Sequence, residues 1–310
     1  MDVPTRKLRY FIAVAEELHF SRAAARLHIA QQALSKQVRE LEDAVGAQLL
    51  DRTTRSVTLT PAGHEFLSAA RASLDALEAG VAAAQRAARG ETGVLRVGFG
   101  IGAALELTDP IFAEFRSRYP NIELDLREYP LTVPSSGLID GWAEVALVRL
   151  PQSATGLAFE PLFVEPRVAG MRSDHPLASR PTVSVYELLG EPVTVAHTGD
   201  DAWHRFWTLD DYRGGRRPQT LSTNSHTEEI EYIAAGKAVT ITVAGAARLT
   251  PRPGVSYLPI VDVPGCTCAV GWRTGRAVAL VDRFVEVATE VRDREHEIVR
   301  AIEHPFGVGS

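Results

Sequence analysis

Gln31, Gln32, Ser35 and Lys36 fall within about a turn and a half of chain, each with a side chain able to read a base edge. A glutamine amide meets adenine through two hydrogen bonds, a serine hydroxyl serves either partner of a base pair, and a lysine ammonium reaches guanine or phosphate. Leu34, Val38, Leu41 and Val45 follow at spacings of 4, 3 and 4, so one helix carries the polar group on one face and an apolar stripe on the other. Further on, Arg52 and Arg55 bracket the turn Arg52-Thr53-Thr54-Arg55, where guanidinium groups suit phosphate or a minor groove. A solvated helix face beside an ordinary hairpin has the same composition, so the surrounding elements must decide.

Three other groups invite chemistry. Gly98-Phe99-Gly100-Ile101-Gly102-Ala103 fits G-x-G-x-x-A between a strand and a helix, the dinucleotide fingerprint, with Asp125 and Glu128 downstream. Close approach of strand and helix explains the same glycines. His197, His204 and His226 lack the tight spacing of metal ligands, so no metal or cofactor is expected. Cys266 and Cys268, one residue apart, suit core packing better than a redox pair. Neither G-x-S-x-G, a P-loop nor a Cys-His nucleophile pattern is present.

The elements around the first group read as helix, short helix, break and longer helix. Residues 5–17 form an amphipathic helix with Leu8, Phe11, Ile12 and Ala15 on one face. Ser21 reads as the N-cap of a short helix, Arg22 to Leu27, and His28-Ile29-Ala30 as a tight break. The longer helix starts at Gln31 and ends at Gly46, a natural C-cap. That is helix-turn-helix grammar, with the second helix free for a major groove. A two-stranded ribbon follows, Leu49–Asp51 and Ser56–Leu59. Thr60-Pro61 then opens a long helix to about Arg89 whose apolar positions Leu67, Ala70, Leu74, Leu77, Val81, Ala84 and Ala88 make a heptad seam. Such a seam predicts a dimerising linker.

After Gly90–Gly93 the pattern alternates. Strands are expected at Val94–Phe99, Ile122–Glu128, Ala143–Val148, Leu162–Met171 (across Pro166), Val193–Ala196, Thr220–Ser222, Val239–Val243 and Asp262–Arg273. Helices are expected at Ala103–Tyr119, Val183–Leu189, Ala202–Leu209, Ser225–Ala235 and Ala279–Ile302. Regular alternation argues for parallel α/β sheets.

The 310 residues, 45% hydrophobic and 23% charged, are enough for two or more domains with a soluble protein's balance. Two cysteines give no disulfide framework and suit a reducing compartment. Residues 1–66 carry nine Lys/Arg against eight Asp/Glu, and the remainder 24 against 31, so a net charge of −6 hides a front part that is less acidic than the rest. Bulk charge alone does not point to nucleic acid. Arg6-Lys7 before Tyr10–Ala15 imitates a secretory signal, but its apolar core is short and Glu16-Glu17 follow at once. With no apolar run long enough to span a membrane, the expected location is cytoplasmic.

The run from Leu8 through Gly63 resembles the DNA-binding domain of the LysR-type transcriptional regulators. Leu8–Phe11, Phe20–Leu27, Ile29–Val38, Leu41-Glu42, Leu49–Arg52 and Leu59–Gly63 carry the likeness without a gap. Gln32 departs from it, standing where the family usually has proline. Behind it the likeness is looser: Gly93–Gly98, Phe115 to Tyr119-Pro120, Ile122–Leu126, Gly141 to Arg149, Asp174–Ala178 and Ala235–Val239. The resemblance implies an α-rich winged helix-turn-helix at residues 1–60, a dimerising linker helix at 61–90 and an effector-binding domain at 91–310. That last domain is expected to be α/β and like a periplasmic binding protein, with subdomain I at about 91–163 and 267–310 and subdomain II at about 164–266. A periplasmic solute-binding protein would share this core, and a nicotinamide-dependent α/β enzyme with an appended DNA-binding domain is the alternative function.

On this reading the chain crosses between subdomains near Phe163–Pro166 and Asp262–Cys268, and the effector sits in the cleft between them. The expected lining is Gly102 and Ala103, Thr132 and Ser135, His197 and Thr198, and Asn224, Ser225 and His226, with Arg149 the partner for a carboxylate. The effector is then a small organic or aromatic acid. The expected partners are double-stranded promoter DNA, RNA polymerase, and further copies of the chain as a dimer of dimers.

Overall fold

The computed structural model describes residues 3–52, 56–88, 93–275 and 279–306, which divide into two compact units, Met1–Ala87 and Ala88–Ser310.

In the first unit, α1 (Thr5–Glu17), α2 (Phe20–Arg26) and α3 (Gln31–Val45) precede the strands β1 (Leu50–Arg52) and β2 (Val57–Leu59) and the helix α4 (Pro61–Ala88). Leu34, Val38 and Leu41 are fully buried against Phe11, Val14, Ala23 and Leu49, so the 3–4 apolar spacing of α3 is the seam that closes this core. Gly46 ends α3 at φ +74°, where a side chain would strain the backbone. The cap of α2 differs from expectation: His19, not Ser21, is the N-cap, its Nδ1 accepting from the Ser21 N–H at 3.2 Å. The ribbon is antiparallel, with Leu50 opposite Leu59. At the start of α4, Thr60 Oγ donates to the Gln48 carbonyl at 2.7 Å and accepts from the Gly63 N–H at 2.9 Å. A Cβ at Gly63 would lie 2.0 Å from the Leu49 carbonyl oxygen, so only glycine lets the helix seat on the ribbon. The α4 seam changes character along its length. Ala70 is buried and Leu67 and Leu74 pack on the core, whereas Leu77 and Val81 are exposed. The side chains of residues 84 and 88 lie outside the described residues.

The second unit contains β3 (Gly93–Phe99), α5 (Thr108–Arg118), β4 (Ile122–Glu128), β5 (Val145–Arg149), β6 (Leu157–Glu165) and β7 (Arg167–Arg172). It continues with α6 (Val185–Leu188), β8 (Val193–Ala196), α7 (Asp201–Trp207), β9 (Thr220–Thr223), α8 (His226–Ala234), β10 (Thr240–Val243) and α9 (Ala244–Leu249). Last come β11 (Val255–Pro259), β12 (Cys266–Arg273), α10 (Ala279–Arg294) and α11 (His296–Glu303). One sheet has the order β4-β3-β5-β12-β6, parallel among β4, β3 and β5 and antiparallel where β12 joins β5 and β6. Leu95, Val97, Val145 and Leu147 pack on α5 and α10 through Ile111, Phe115, Phe284 and Val287. A second core, Ala169, Met171, Val193, Trp203, Trp207 and Ile241 among it, lies under the antiparallel sheet β10-β7-β11 and the parallel pair β8-β9.

Three expectations are corrected here. Pro166 splits the long strand into β6 and β7, because proline donates no ladder hydrogen bond. The second core uses antiparallel pairing and the strand β11, which the flanking prolines and Gly254 conceal in the sequence. The helix expected from Ala103 begins at Thr108, after a turn in which Gly102, Ala103 and Leu105 all have positive φ and a 3-10 turn at Leu105–Leu107.

Candidate functional site

In the first unit, Gln31, Gln32 and Lys36 are exposed and Ser35 is half-buried at the N-terminal end of α3. Ser21 Oγ donates to Gln31 Oε1 at 2.9 Å, which steadies the amide while leaving its N–H donors and a second lone pair. Arg52 behaves differently from expectation. Its guanidinium pairs with Glu42 and lies 4.9 Å over the Phe20 ring. The other Glu42 oxygen accepts from the Leu49 and Leu50 N–H groups at 3.0 and 3.1 Å. Glu42 is thus the clamp between α3 and β1, and Arg52 is half of that clamp. Arg55 lies outside the described residues.

In the second unit a cavity of about 100 Å³ opens where the ends of β3 and β5 face β8, β10, α7 and α8. Its walls are mostly apolar: Ile101, Leu131, Val133, Leu147, Trp203, Trp207, Ile241 and Leu249. The two indoles stand edge to face with centroids 5.4 Å apart. Of the residues expected to line it, Ala103, Arg149 and His226 do. Gly102 sits in the adjoining turn at φ +76°, and Thr132 and Ser135 belong to the loop that supplies Leu131 and Ser136 without reaching the cavity wall themselves. His197 contacts Ser222 at 3.4 Å, Thr198 accepts from the Asp200 N–H, the Asn224 N–H donates to Glu228, and Ser225 N-caps α8. Those four residues shape the loops around α7 and α8 and do not form the wall.

Arg149 is not a free cation. Its Nη1 is 2.6 Å from Glu165 Oε2, and Glu165, wholly buried, also accepts the Gly245 N–H. A hydrogen-bonded cluster marks the opposite wall. Glu229 accepts from Thr194 Oγ at 3.0 Å and Thr240 Oγ at 2.6 Å, and its other oxygen is 3.1 Å from His226 Nδ1. His226 Nε2 is 2.7 Å from Thr250 Oγ. Burial first, and the Glu229 charge second, push the Tyr257 phenol above its ordinary range. The sequence held two overlooked signals for this wall: His226 and Glu229 three apart, and Trp203 and Trp207 four apart, each on one helix face.

Two further polar contacts link segments of this unit. Asp200 accepts from the Ser153 N–H and hydroxyl at 2.9 Å each while capping α7 through the Trp203 N–H, also at 2.9 Å. Arg248 meets Glu106 at 2.8 Å. Both pairs join an element that continues from the five-stranded sheet to one beside the second core.

A family model described as the LysR substrate binding domain matches residues 88–293, and one described as the bacterial regulatory helix-turn-helix protein, lysR family, matches residues 5–64. The chain belongs to the LysR family. AlsR, an HTH-type transcriptional regulator of Bacillus subtilis, is 36% identical over 300 residues, covering 94% of this chain and 97% of the relative. Corynebacterium glutamicum OxyR in its oxidized form is 27% identical with a TM-score of 0.51, covering 97% of this chain and 94% of that one. CbnR complexed with its target DNA shares the fold, with a TM-score of 0.62 at 24% identity over 93% of this chain and 99% of that one. The protein is therefore a LysR-type transcriptional regulator, a winged helix-turn-helix joined to an effector-binding α/β domain. Among the described residues no helix is long and apolar enough to cross a membrane.

The glycine-rich turn of this LysR-type chain has its own reasons. A Cβ at Gly98 would meet the Ser136 carbonyl oxygen at 1.8 Å, and no α-helix N-terminus follows the turn until Thr108. A pyrophosphate site needs that N-terminus directly after the glycines, so the dinucleotide alternative has no support. Cys266 and Cys268 are both wholly buried, one in each core. Burial pushes their thiols up to about 12 and about 11. Thiolate is the reactive form, so iodoacetamide at pH 8 is expected to leave both unlabelled in the native protein and to label both in urea. Rapid labelling of either one in the native state contradicts their placement in the cores.

Proposed function

We propose that this regulator reads promoter DNA through Gln31, Gln32, Ser35 and Lys36, with Arg55 on the ribbon turn gripping phosphate and Arg52 holding the ribbon in place. The observation that carries the reading is the division of α3: a fully buried Leu34, Val38 and Leu41 stripe with exposed Gln31, Gln32 and Lys36 on the other side. A recognition helix needs that division, because its apolar face must be satisfied at home before its polar face is offered to a groove. Two such helices from a dimer would enter successive major grooves, with half-sites about 10 bp apart or a multiple of it. The exposed Leu77 and Val81 support pairing through α4, and two dimers acting together would bend a longer site and present it to RNA polymerase. The residues 1–60, 61–90 and 91–310 serve as DNA-binding domain, linker and effector domain, with no catalysis and with action in the cytoplasm.

The effector occupies the cavity bounded by Ala103, Arg149 and His226. Its binding stabilises one arrangement of the Ser153–Asp200 and Glu106–Arg248 contacts over another, a population shift set by the difference in affinity for the two arrangements. The mostly apolar wall with two indoles favours a ligand with a compact apolar or aromatic body. An acidic effector would have to meet Arg149 in competition with Glu165.

The test is a pair of substitutions. Gln31→Ala should cost about 1–3 kcal/mol on the specific site and little on random DNA. Lys36→Ala should weaken both and reduce the slope of log affinity against log salt by about one. Equal losses on specific and random DNA for Gln31→Ala contradict the assignment of base reading to this face.

A further inference from the structure

The cavity wall carries one guanidinium, Arg149, and one carboxylate, Glu229. Its cation, Arg149, is already matched by Glu165 at 2.6 Å. Glu229, only 7% exposed, has no guanidinium or ammonium against it among the described residues; the His226 imidazole contacts it and the Tyr257 phenol lies within reach of its charge. A carboxylate offers about four lone-pair positions. On Glu229, a residue of the cavity wall, Thr194, Thr240 and His226 take three of those, which leaves room for one more donor. Trp203 and Trp207 line the same cavity, and the face of an indole ring attracts a cation electrostatically.

We propose that the effector of this regulator carries an ammonium head on a small apolar or aromatic body, with the head on Glu229 and the body against Trp203 and Trp207. The inference rests on reading this cavity as the effector site. A carboxylate head in the same place would put a second anion beside Glu229, with no guanidinium or ammonium of the described residues against it to offset the charge. An uncharged hydroxyl would satisfy the remaining lone pair but gain no charge pairing and no attraction to the indoles. At about 100 Å³ the cavity is of the order of the ~150 Å³ cavity that holds a benzene ring, a size that suits a short aliphatic chain or one ring.

The experiment compares isosteres on the full-length protein at pH 7: n-butylamine, n-butanol and butyrate, then benzylamine, benzyl alcohol and benzoate. Binding is read by titration calorimetry and by the rise in the melting temperature of the second unit. The expected order is amine first, alcohol about tenfold weaker and carboxylate weakest. Glu229→Gln keeps the shape and the threonine contacts and should lower amine affinity about tenfold or more while bringing amine and alcohol together. The comparison on the unaltered protein stands even where that variant folds poorly. Carboxylates binding as tightly as amines overturn the proposal, as does the absence of binding by every member of both series.

Ala196→Trp, which fills the cavity from β8, separates this outcome from failure of the site itself. Carboxylate binding abolished by Ala196→Trp keeps the effector site and rejects the ammonium head. Binding unaffected by Ala196→Trp places the ligand elsewhere and rejects both.

Discussion

Arg149→Met is expected to lower the stability of the second unit by about 3–5 kcal/mol, because it leaves the wholly buried Glu165 carboxylate without its countercharge. Glu165 cannot escape to water by rotating, since its other oxygen is held by the Gly245 N–H at the start of α9. Removing both charges while keeping that acceptor, in Arg149→Met with Glu165→Gln, should recover most of the loss, because a buried ion pair compensates its own desolvation more than it stabilises the fold. Urea titration followed by tryptophan fluorescence reads the difference, since all four tryptophans, Trp142, Trp203, Trp207 and Trp272, lie in this unit. A single variant within about 1 kcal/mol of the parent would mean that the pair is solvated and Arg149 is available to ligands after all.

Glu42→Ala should be the most damaging polar substitution in the first unit. It removes the acceptor for two backbone N–H groups of the ribbon and the partner of Arg52 together. Each orphaned donor costs about 1–3 kcal/mol, so the sum is on the order of 3 kcal/mol. That is a large share of the stability of so small a unit. The expected result is a separate, earlier melting transition of the first unit and loss of DNA binding at 37 °C, with the second unit unaffected. Glu42→Gln keeps a carbonyl for the N–H groups and loses only the charge, so it should fall between the two. Equal stability for Glu42→Ala and the parent would show that the clamp does not hold the ribbon.

Much of the first unit was legible because its signals are local. The 4, 3, 4 spacing of Leu34, Val38, Leu41 and Val45 locates α3, and Gly46 locates its end, since helical periodicity and a left-handed cap are written within a few residues. The ribbon and the start of α4 were legible for the same reason. What the sequence concealed depends on groups far apart in the chain. Arg52 reads as a surface cation until Glu42, ten positions earlier, is seen beside it. Arg149 reads as a ligand partner until β12 draws β5 and β6 together and brings Glu165 to it. The helix start at Thr108 was obscured because Gly98-Phe99-Gly100 imitates a strand-to-helix turn, while the close approach to Ser136 and three positive φ angles delay the helix. In the cavity, strand ends and helix starts point to Ala103, Arg149 and His226, and all three line it. Polar residues before helices can bind ligands or serve the backbone, and sequence alone does not separate the two: Thr198, Asn224 and Ser225 make hydrogen bonds within the loops and caps of α7 and α8.

The most direct test is a footprint of the purified full-length protein on the DNA upstream of its own gene, at two salt concentrations. Protection of a dyad-symmetric site, steeply weakened by salt and lost with Gln31→Ala, is the predicted result. Protection indistinguishable from that on random DNA, or a specific footprint that survives Gln31→Ala unchanged, would contradict the claim that α3 reads the operator.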